Sequence, residues 1–132
     1  MIDIVNLDKD FEIDKKLLAS VARKVLKGEG IKKNIEVAFV KDKEIKSLNK
    51  KYRKKDKATD VLSFGTINDP LPQIVICLKV VNVNAKKDKI SFNEELSKVL
   101  IHGILHLKGM DHLKKKDAEE MFKKQNKYII SK

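Results

Sequence analysis

The chain contains 132 residues, which is enough for a buried core, and we expect residues 1–132 to form one domain. Apolar residues make up 42% of the sequence, which is ordinary for a globular protein, so we do not expect a disordered chain. No apolar stretch approaches membrane-spanning length. The net charge of +11, from 30 Lys and Arg against 19 Asp and Glu, favours polyanionic partners, nucleic acid first, although lysine-rich surfaces also occur without such a partner.

The first half of the chain predicts two strands, each followed by a helix. The strands are expected at 2–7 and 35–40, where apolar residues dominate. Asp14 is a typical N-cap for the first helix, which Gly28 and Gly30 end, and Asp42 is the expected cap of a short second helix. The acidic N-terminus does not match a signal peptide, so we expect a cytoplasmic protein.

The second half predicts two further strands and two longer helices. Strands at 59–64 and 74–78 precede a segment, 80–85, that fits either the end of a strand or a short helix. The single cysteine, Cys77, lies in an apolar run, where a buried and unreactive thiol is expected. The last helix, from about 116 to 130, is amphipathic. Its inward residues are predicted to be Met121, Phe122, Tyr128 and Ile129.

Between these strands and the last helix lies a helix that begins with a capping box, Ser91 and Glu94. Its second half is apolar nearly all round, so we expect it to be central and buried, with Gly103 allowing a neighbour to approach closely. The interleaved strands and helices indicate an α/β or α+β fold. We predict a mixed sheet of about four strands, covered by helices.

All three histidines lie within eleven positions of this region, in the pattern His-x3-His-x5-His. His102 and His106 are four residues apart on the helix, so they lie on one face. Gly109 tolerates the left-handed conformation at a helix end, so the chain can turn there and bring His112 back. Three imidazoles leave one coordination position open for water, which is typical of a catalytic rather than a structural zinc site.

The spacing His-x3-His-x2-Gly-x2-His also occurs in metzincin metallopeptidases. Their motif carries a glutamate beside the first histidine, and this glutamate activates the metal-bound water. Here that position is Gly103, and Glu95, two helical turns before His102, could replace it only from a different geometry. The missing base argues against peptide hydrolysis.

The segment 49–60 is rich in cations that suit a phosphate substrate. Arg53 can bind a phosphate bidentately. Its neighbours can contact an RNA backbone electrostatically: Lys54, Lys55 and Lys57. Tyr52 or Phe64 can stack on a base. The alternative interpretation is a solvated basic loop with both aromatic side chains in the core.

Two blocks carry a resemblance to a known family. One runs from His102 to His112, HGILHLKGMDH, and the other from Leu48 to Phe64, LNKKYRKKDKATDVLSF. At this separation they resemble the YbeY family of bacterial metal-dependent endoribonucleases, and the similarity runs over most of the chain. The chain departs from the usual sequence of the family at three positions: Ala58, Gly65 and Gln73.

The resemblance implies cleavage of single-stranded RNA, maturation of ribosomal RNA, notably the 16S rRNA 3′ end, and ribosome quality control. It implies that His102, His106 and His112 bind one zinc ion, although nickel and other divalent ions also accept imidazole. Arg53 matches the family's functional arginine. Asp111 matches the pattern and is assigned to orienting a ligand or to proton transfer. The implied partners are ribosomal RNA and the ribosome or its proteins.

We therefore predict a metal-dependent endoribonuclease in which Arg53 orients the scissile phosphate. The attacking group is either a metal-activated water or the RNA's own 2′-hydroxyl, and the sequence does not choose between them. Two alternatives remain: a zinc metallopeptidase-like hydrolase, and a non-catalytic module that binds RNA or the ribosome. The open three-histidine site argues against the second, because structural zinc sites normally have four protein ligands.

Overall fold

The computed structural model describes residues 2–109 and 114–130, in which helices pack around one mixed sheet. This confirms the predicted fold class. The elements in chain order are β1 (Ile2–Asn6), α1 (Lys15–Gly28), β2 (Ile35–Val40), α2 (Asp42–Arg53), β3 (Val61–Phe64), β4 (Gln73–Cys77), α3 (Leu78–Asp88), α4 (Phe92–Leu107) and α5 (Lys115–Ile130). None of the described helices is long and apolar enough to cross a membrane.

The sheet has the strand order β1-β2-β4-β3. Strands β1, β2 and β4 run parallel, as expected where a helix connects one strand to the next. Strand β3 runs antiparallel to β4, with Val61 opposite Ile76 and Ser63 opposite Ile74. Strand β3 is therefore at one edge of the sheet, with a partner on one side only.

Helix α4 is the central helix of the fold, as predicted. Most of its residues from Leu96 to Leu107 are buried, and they pack against α1, α3, α5 and the sheet. Gly103 is the point of closest approach, because a Cβ atom there would lie 2.9 Å from Cγ2 of Ile74 and 3.4 Å from Cγ2 of Val61. Ile74 is fully buried and β-branched, so it has little freedom to move aside. The glycine thus sets the distance between α4 and the sheet.

Two of the predicted helix starts are confirmed by hydrogen bonds. The backbone N–H of Leu17 donates to Oδ1 of Asp14 at 3.0 Å, and the N–H of Glu94 donates to Oγ of Ser91 at 3.1 Å. Each side chain satisfies an amide that the helix leaves unpaired at its first turn. The end of α1 is also as predicted, since Gly30 adopts a left-handed φ of +69°.

Three sequence-based expectations need correction or completion. Lys41, not Asp42, occupies the N-cap of α2. Asp42 lies in the first turn, where its negative charge interacts favourably with the helix dipole. The segment 80–85 is helical, because its buried residues follow helical spacing while Val83 is exposed. Phe122 is 62% exposed, because Met121 and Tyr128 define the buried face of α5. Phe122 points about 100° away from Met121 around the helix axis.

A buried carboxylate joins the ends of three helices. Glu29 follows α1 directly, and its side chain is only 4% exposed. It accepts hydrogen bonds from Nζ of Lys108 at 3.0 Å, Nζ of Lys124 at 2.5 Å and the hydroxyl of Tyr128 at 2.5 Å. Burial by itself would raise the pKa of Glu29, but these three donors outweigh it and lower the pKa to about 2.

This cluster predicts a specific dependence of stability on pH. Because the folded pKa of Glu29 is about 2 against an ordinary value of 4.5, its contribution is complete above pH 5 and is lost as the pH falls towards 2. Its size is about 3 kcal/mol of unfolding free energy. Urea denaturation between pH 6 and 2 should show a shallower loss of stability in Glu29→Gln than in the wild type. Glu119→Gln, on the exposed side of α5, is the control, and parallel curves for the wild type and Glu29→Gln would contradict the assignment.

Candidate active site

A cleft of about 340 Å³ opens between α4, the edge strand β3 and the end of α2. We call it the active-site cleft. It is lined by Arg53, Thr59, Asp60, Val61, Leu62, Ser63, His102 and His106. Side chains from both sequence blocks are therefore brought together, since the last residue of α2 and the second half of α4 meet across β3.

The two histidines of α4 enter this cleft from one side. His102 and His106 are one helical turn apart, and both are half-buried. Gly103 faces Ile74 in the sheet, so the histidines beside it on the helix surface are turned towards the β3 edge. Gly109 adopts a φ of +100°, the left-handed conformation predicted for the end of this helix.

The third predicted ligand, His112, lies outside the described residues, and so does Asp111, which was predicted to orient a ligand or to assist proton transfer. Within 2–109 and 114–130, no three potential ligand side chains converge on a metal position. The described donors are two imidazoles in one cleft, and this donor set fits a divalent ion that accepts nitrogen ligands. The three-histidine site therefore stays a prediction, to which the described residues contribute two members.

Arg53 is connected to α4 through two hydrogen bonds. Its Nη2 donates to the backbone carbonyl of Ser63 at 3.1 Å, and the Ser63 hydroxyl donates to the carbonyl of Gly103 at 3.0 Å. That carbonyl belongs to the helical turn between the two histidines. The arginine, the edge strand and the face of α4 that carries the histidines are thus linked by hydrogen bonds. Sequence reasoning did not single out Ser63, although it lies inside the second block.

The basic loop after α2 is shaped by a buried amide. Nδ2 of Asn49 donates to the carbonyl of Lys57 at 3.0 Å, and Lys54 adopts a left-handed φ of +57°. The chain turns sharply at the helix end and carries its charges to the surface. The predicted RNA-contacting lysines are all exposed: Lys54, Lys55 and Lys57.

The aromatic pair beside this loop is only partly buried. Tyr52 is 56% exposed, and its ring meets the half-buried ring of Phe64 edge-on, with centroids 5.3 Å apart. The alternative in which both rings belong to the core is therefore wrong for Tyr52. Its ring is accessible at the surface beside Arg53.

Two carboxylates in this part of the chain differ in their access to the cleft. Asp60 lines it and was not identified as a site residue from the sequence, although it belongs to the second block. Glu95 is nearly buried, and this burial raises its pKa. Glu95 is not among the described residues that line the cleft, so it does not replace the missing peptidase base.

Comparison with known proteins decides the family. A family model described as Endoribonuclease YbeY matches residues 3–131. The chain belongs to the YbeY family. Endoribonuclease YbeY of Thermotoga neapolitana is 42% identical over 130 residues, covering 98% of this chain and 87% of that protein. The Aliarcobacter butzleri protein of the same name is 42% identical over 143 residues, covering 98% of each.

The fold also agrees with a solved structure. The solution structure of a Thermotoga maritima protein matches with a TM-score of 0.71 at 37% identity, covering 98% of this chain and 87% of that one. The resemblance noted from two blocks of this YbeY chain is thus confirmed over nearly its whole length.

The hydrogen bond between Ser63 and Gly103 predicts a measurable difference between two serines. Ser63→Ala should lower the unfolding free energy by about 1 kcal/mol, because it removes the bond between β3 and α4. Ser97→Ala is the matched control, since its buried hydroxyl on α4 has no hydrogen-bond partner among the described residues, and its loss should be neutral or stabilising. Urea denaturation of both variants would measure the difference, and equal losses would argue against the assigned bond.

Proposed function

We propose that this protein is a metal-dependent endoribonuclease that cleaves single-stranded RNA during ribosomal RNA maturation, at the 16S rRNA 3′ end, and in ribosome quality control. The observation that carries the proposal is the cleft that joins Arg53 to His102 and His106. The names of the relatives, Endoribonuclease YbeY, support the same reaction class.

One divalent ion would be held by His102 and His106, together with His112 as the third ligand. Zinc is favoured by the imidazole ligands, and nickel is an alternative. When bound, such an ion lowers the pKa of a water molecule and polarises a phosphoryl oxygen. Asp111 is proposed to orient a ligand or to assist proton transfer.

Arg53 is proposed to hold the scissile phosphate. Its bond to the Ser63 carbonyl uses one N–H, which leaves further guanidinium donors for phosphate oxygens. Because the positive charge is preorganised in the cleft, it also offsets the negative charge that develops during cleavage.

The surface around the cleft is proposed to bind the rest of the RNA strand. Lys54, Lys55 and Lys57 attract the phosphate backbone, so binding should weaken as salt concentration rises. Tyr52 offers an exposed ring on which a base can stack. Single-stranded RNA suits this arrangement because its bases are free to stack on a protein side chain.

Two further proposals rest on the sequence and the family. The ribosome or its proteins are the proposed partners, in keeping with the basic surface. The cytoplasm is the proposed location, because the single cysteine is buried and unpaired, which fits a reducing compartment. A peptidase is disfavoured, since Gly103 has no side chain and Glu95 does not line the cleft in the described part of the chain.

Metal dependence can be tested with a labelled single-stranded RNA. We expect cleavage to stop with chelator, to return when zinc is restored and to be absent in His106→Ala, because this histidine is a proposed ligand. Zinc content of each protein should be measured in parallel. Cleavage that persists in His106→Ala would point to a contaminating nuclease, and a folded, zinc-loaded wild type that never cuts RNA would contradict the proposed function.

Two substitutions separate bidentate phosphate binding by Arg53 from the effect of its positive charge alone. Arg53→Ala should lower the cleavage rate by roughly 100-fold, and Arg53→Lys should recover only part of it, since lysine cannot bind bidentately. Lys15→Ala, at the exposed start of α1, removes the same charge elsewhere and is the control. Full activity in Arg53→Lys would show that charge alone suffices, and full activity in Arg53→Ala would remove Arg53 from the mechanism.

A further inference from the structure

Strand β3 is an edge strand, and its free edge lies in the active-site cleft. Three of its residues, Val61, Leu62 and Ser63, line the cleft together with both histidines of α4. In an edge strand, every second residue directs its backbone N–H and C=O away from the sheet. Which residues do so in β3 follows from the pairing with β4.

The pairing register identifies the outward residues. The N–H of Cys77 donates to the carbonyl of Asp60 at 2.9 Å, so this opposed pair is hydrogen-bonded. Hydrogen-bonded and non-bonded pairs alternate along an antiparallel ladder. Leu62 therefore bonds to β4, whereas Val61 and Ser63 direct their backbone groups to the free edge.

The position of Arg53 agrees with this assignment. Its guanidinium donates to the Ser63 carbonyl, which can be reached only from the free edge. On the sheet face, the side chains of Val61 and Ser63 point to α4, as shown by the contact with Gly103 and by the hydroxyl bond to its carbonyl. The edge is therefore held against the helix that carries the histidines.

We propose that the backbone N–H groups of Val61 and Ser63 bind phosphate oxygens of the RNA strand in the cleft. This inference rests on the proposed RNA substrate. Main-chain amides of a strand that is paired with β4 and hydrogen-bonded to α4 need no rearrangement to meet an anion, which makes them effective donors to developing negative charge. They would act beside Arg53, in the same cleft as the histidines.

The same edge without Arg53 would suit an extended peptide, which needs alternating donors and acceptors. Arg53 takes up the Ser63 carbonyl and adds a positive charge. The free edge of β3 would otherwise offer hydrogen-bond donors and acceptors alike, but with this carbonyl occupied it offers mainly donors. This favours an anionic backbone over a peptide and agrees with the lysines around the cleft.

The test removes single backbone N–H groups by amide-to-ester replacement in the full-length, zinc-loaded protein. Valine at position 61 is replaced by its α-hydroxy acid analogue, and serine at 63 likewise. Each change should lower the RNA cleavage rate by roughly 100-fold. The melting temperature should fall only modestly, because neither N–H belongs to the sheet ladder and the ester carbonyl of residue 60 or 62 still accepts its bond from β4, although more weakly. The same valine replacement at position 75, whose N–H bonds to β3, is the matched control. It should lower the melting temperature and leave the rate of the folded protein unchanged.

A second measurement does not depend on catalysis. The metal-free protein is titrated with a single-stranded 2′-O-methyl RNA while backbone amide signals are followed by NMR. The amide protons of Val61 and Ser63 should move downfield, and that of Val75 should not. Full cleavage by both edge esters, an equal loss in the position-75 ester, or the absence of amide shifts would overturn the inference.

The outcomes separate this inference from the proposed function. If the wild type cleaves RNA and the edge esters cleave equally well, only the backbone assignment fails. If the wild type does not cleave RNA, the proposed function fails, and the amide shifts still decide whether the β3 edge binds a nucleic-acid backbone.

Discussion

The close contact between α4 and the sheet at Gly103 is the constraint on which the rest of the site depends. A Cβ atom at this position would lie 2.9 Å from a methyl group of the buried Ile74, so only glycine lets the helix come this near. The short distance allows the Ser63 hydroxyl to reach the Gly103 carbonyl. It also places His102 and His106 at the level of the β3 edge. Gly103 stands where the metallopeptidases have their catalytic glutamate, and here it has a structural role of its own.

The antiparallel direction of β3 is the second feature on which the site depends. A fourth parallel strand would need another crossover connection, whereas antiparallel β3 reaches the sheet edge directly after the basic loop. As a result, the end of α2 and the edge of β3 are neighbours, and Arg53 can bond to the Ser63 carbonyl. Cationic and polar groups from one sequence block face histidines from the other across a narrow cleft.

The Glu29 cluster connects the C-terminal end of α4 to α1 and α5. Lys108, which follows α4, and two residues of α5 donate to one carboxylate at the end of α1. A nearly buried charge is stable here because three donors compensate for its lost hydration. No sequence pattern marks this cluster, since its members are far apart in the chain and only Tyr128 was predicted to face inward.

The sequence by itself determined much of the local structure and the family of this protein. Helix caps, the buried character of α4 and the histidine spacing depend on residues within a few positions of one another, and the family followed from two blocks of residues. The tertiary structure decided what depends on distant partners: the strand order, the exposure of Phe122, the helical state of 80–85, and the link from Arg53 through Ser63 to Gly103. Pairing register and side-chain burial are set by elements that meet only in the folded chain, so no local pattern could specify them.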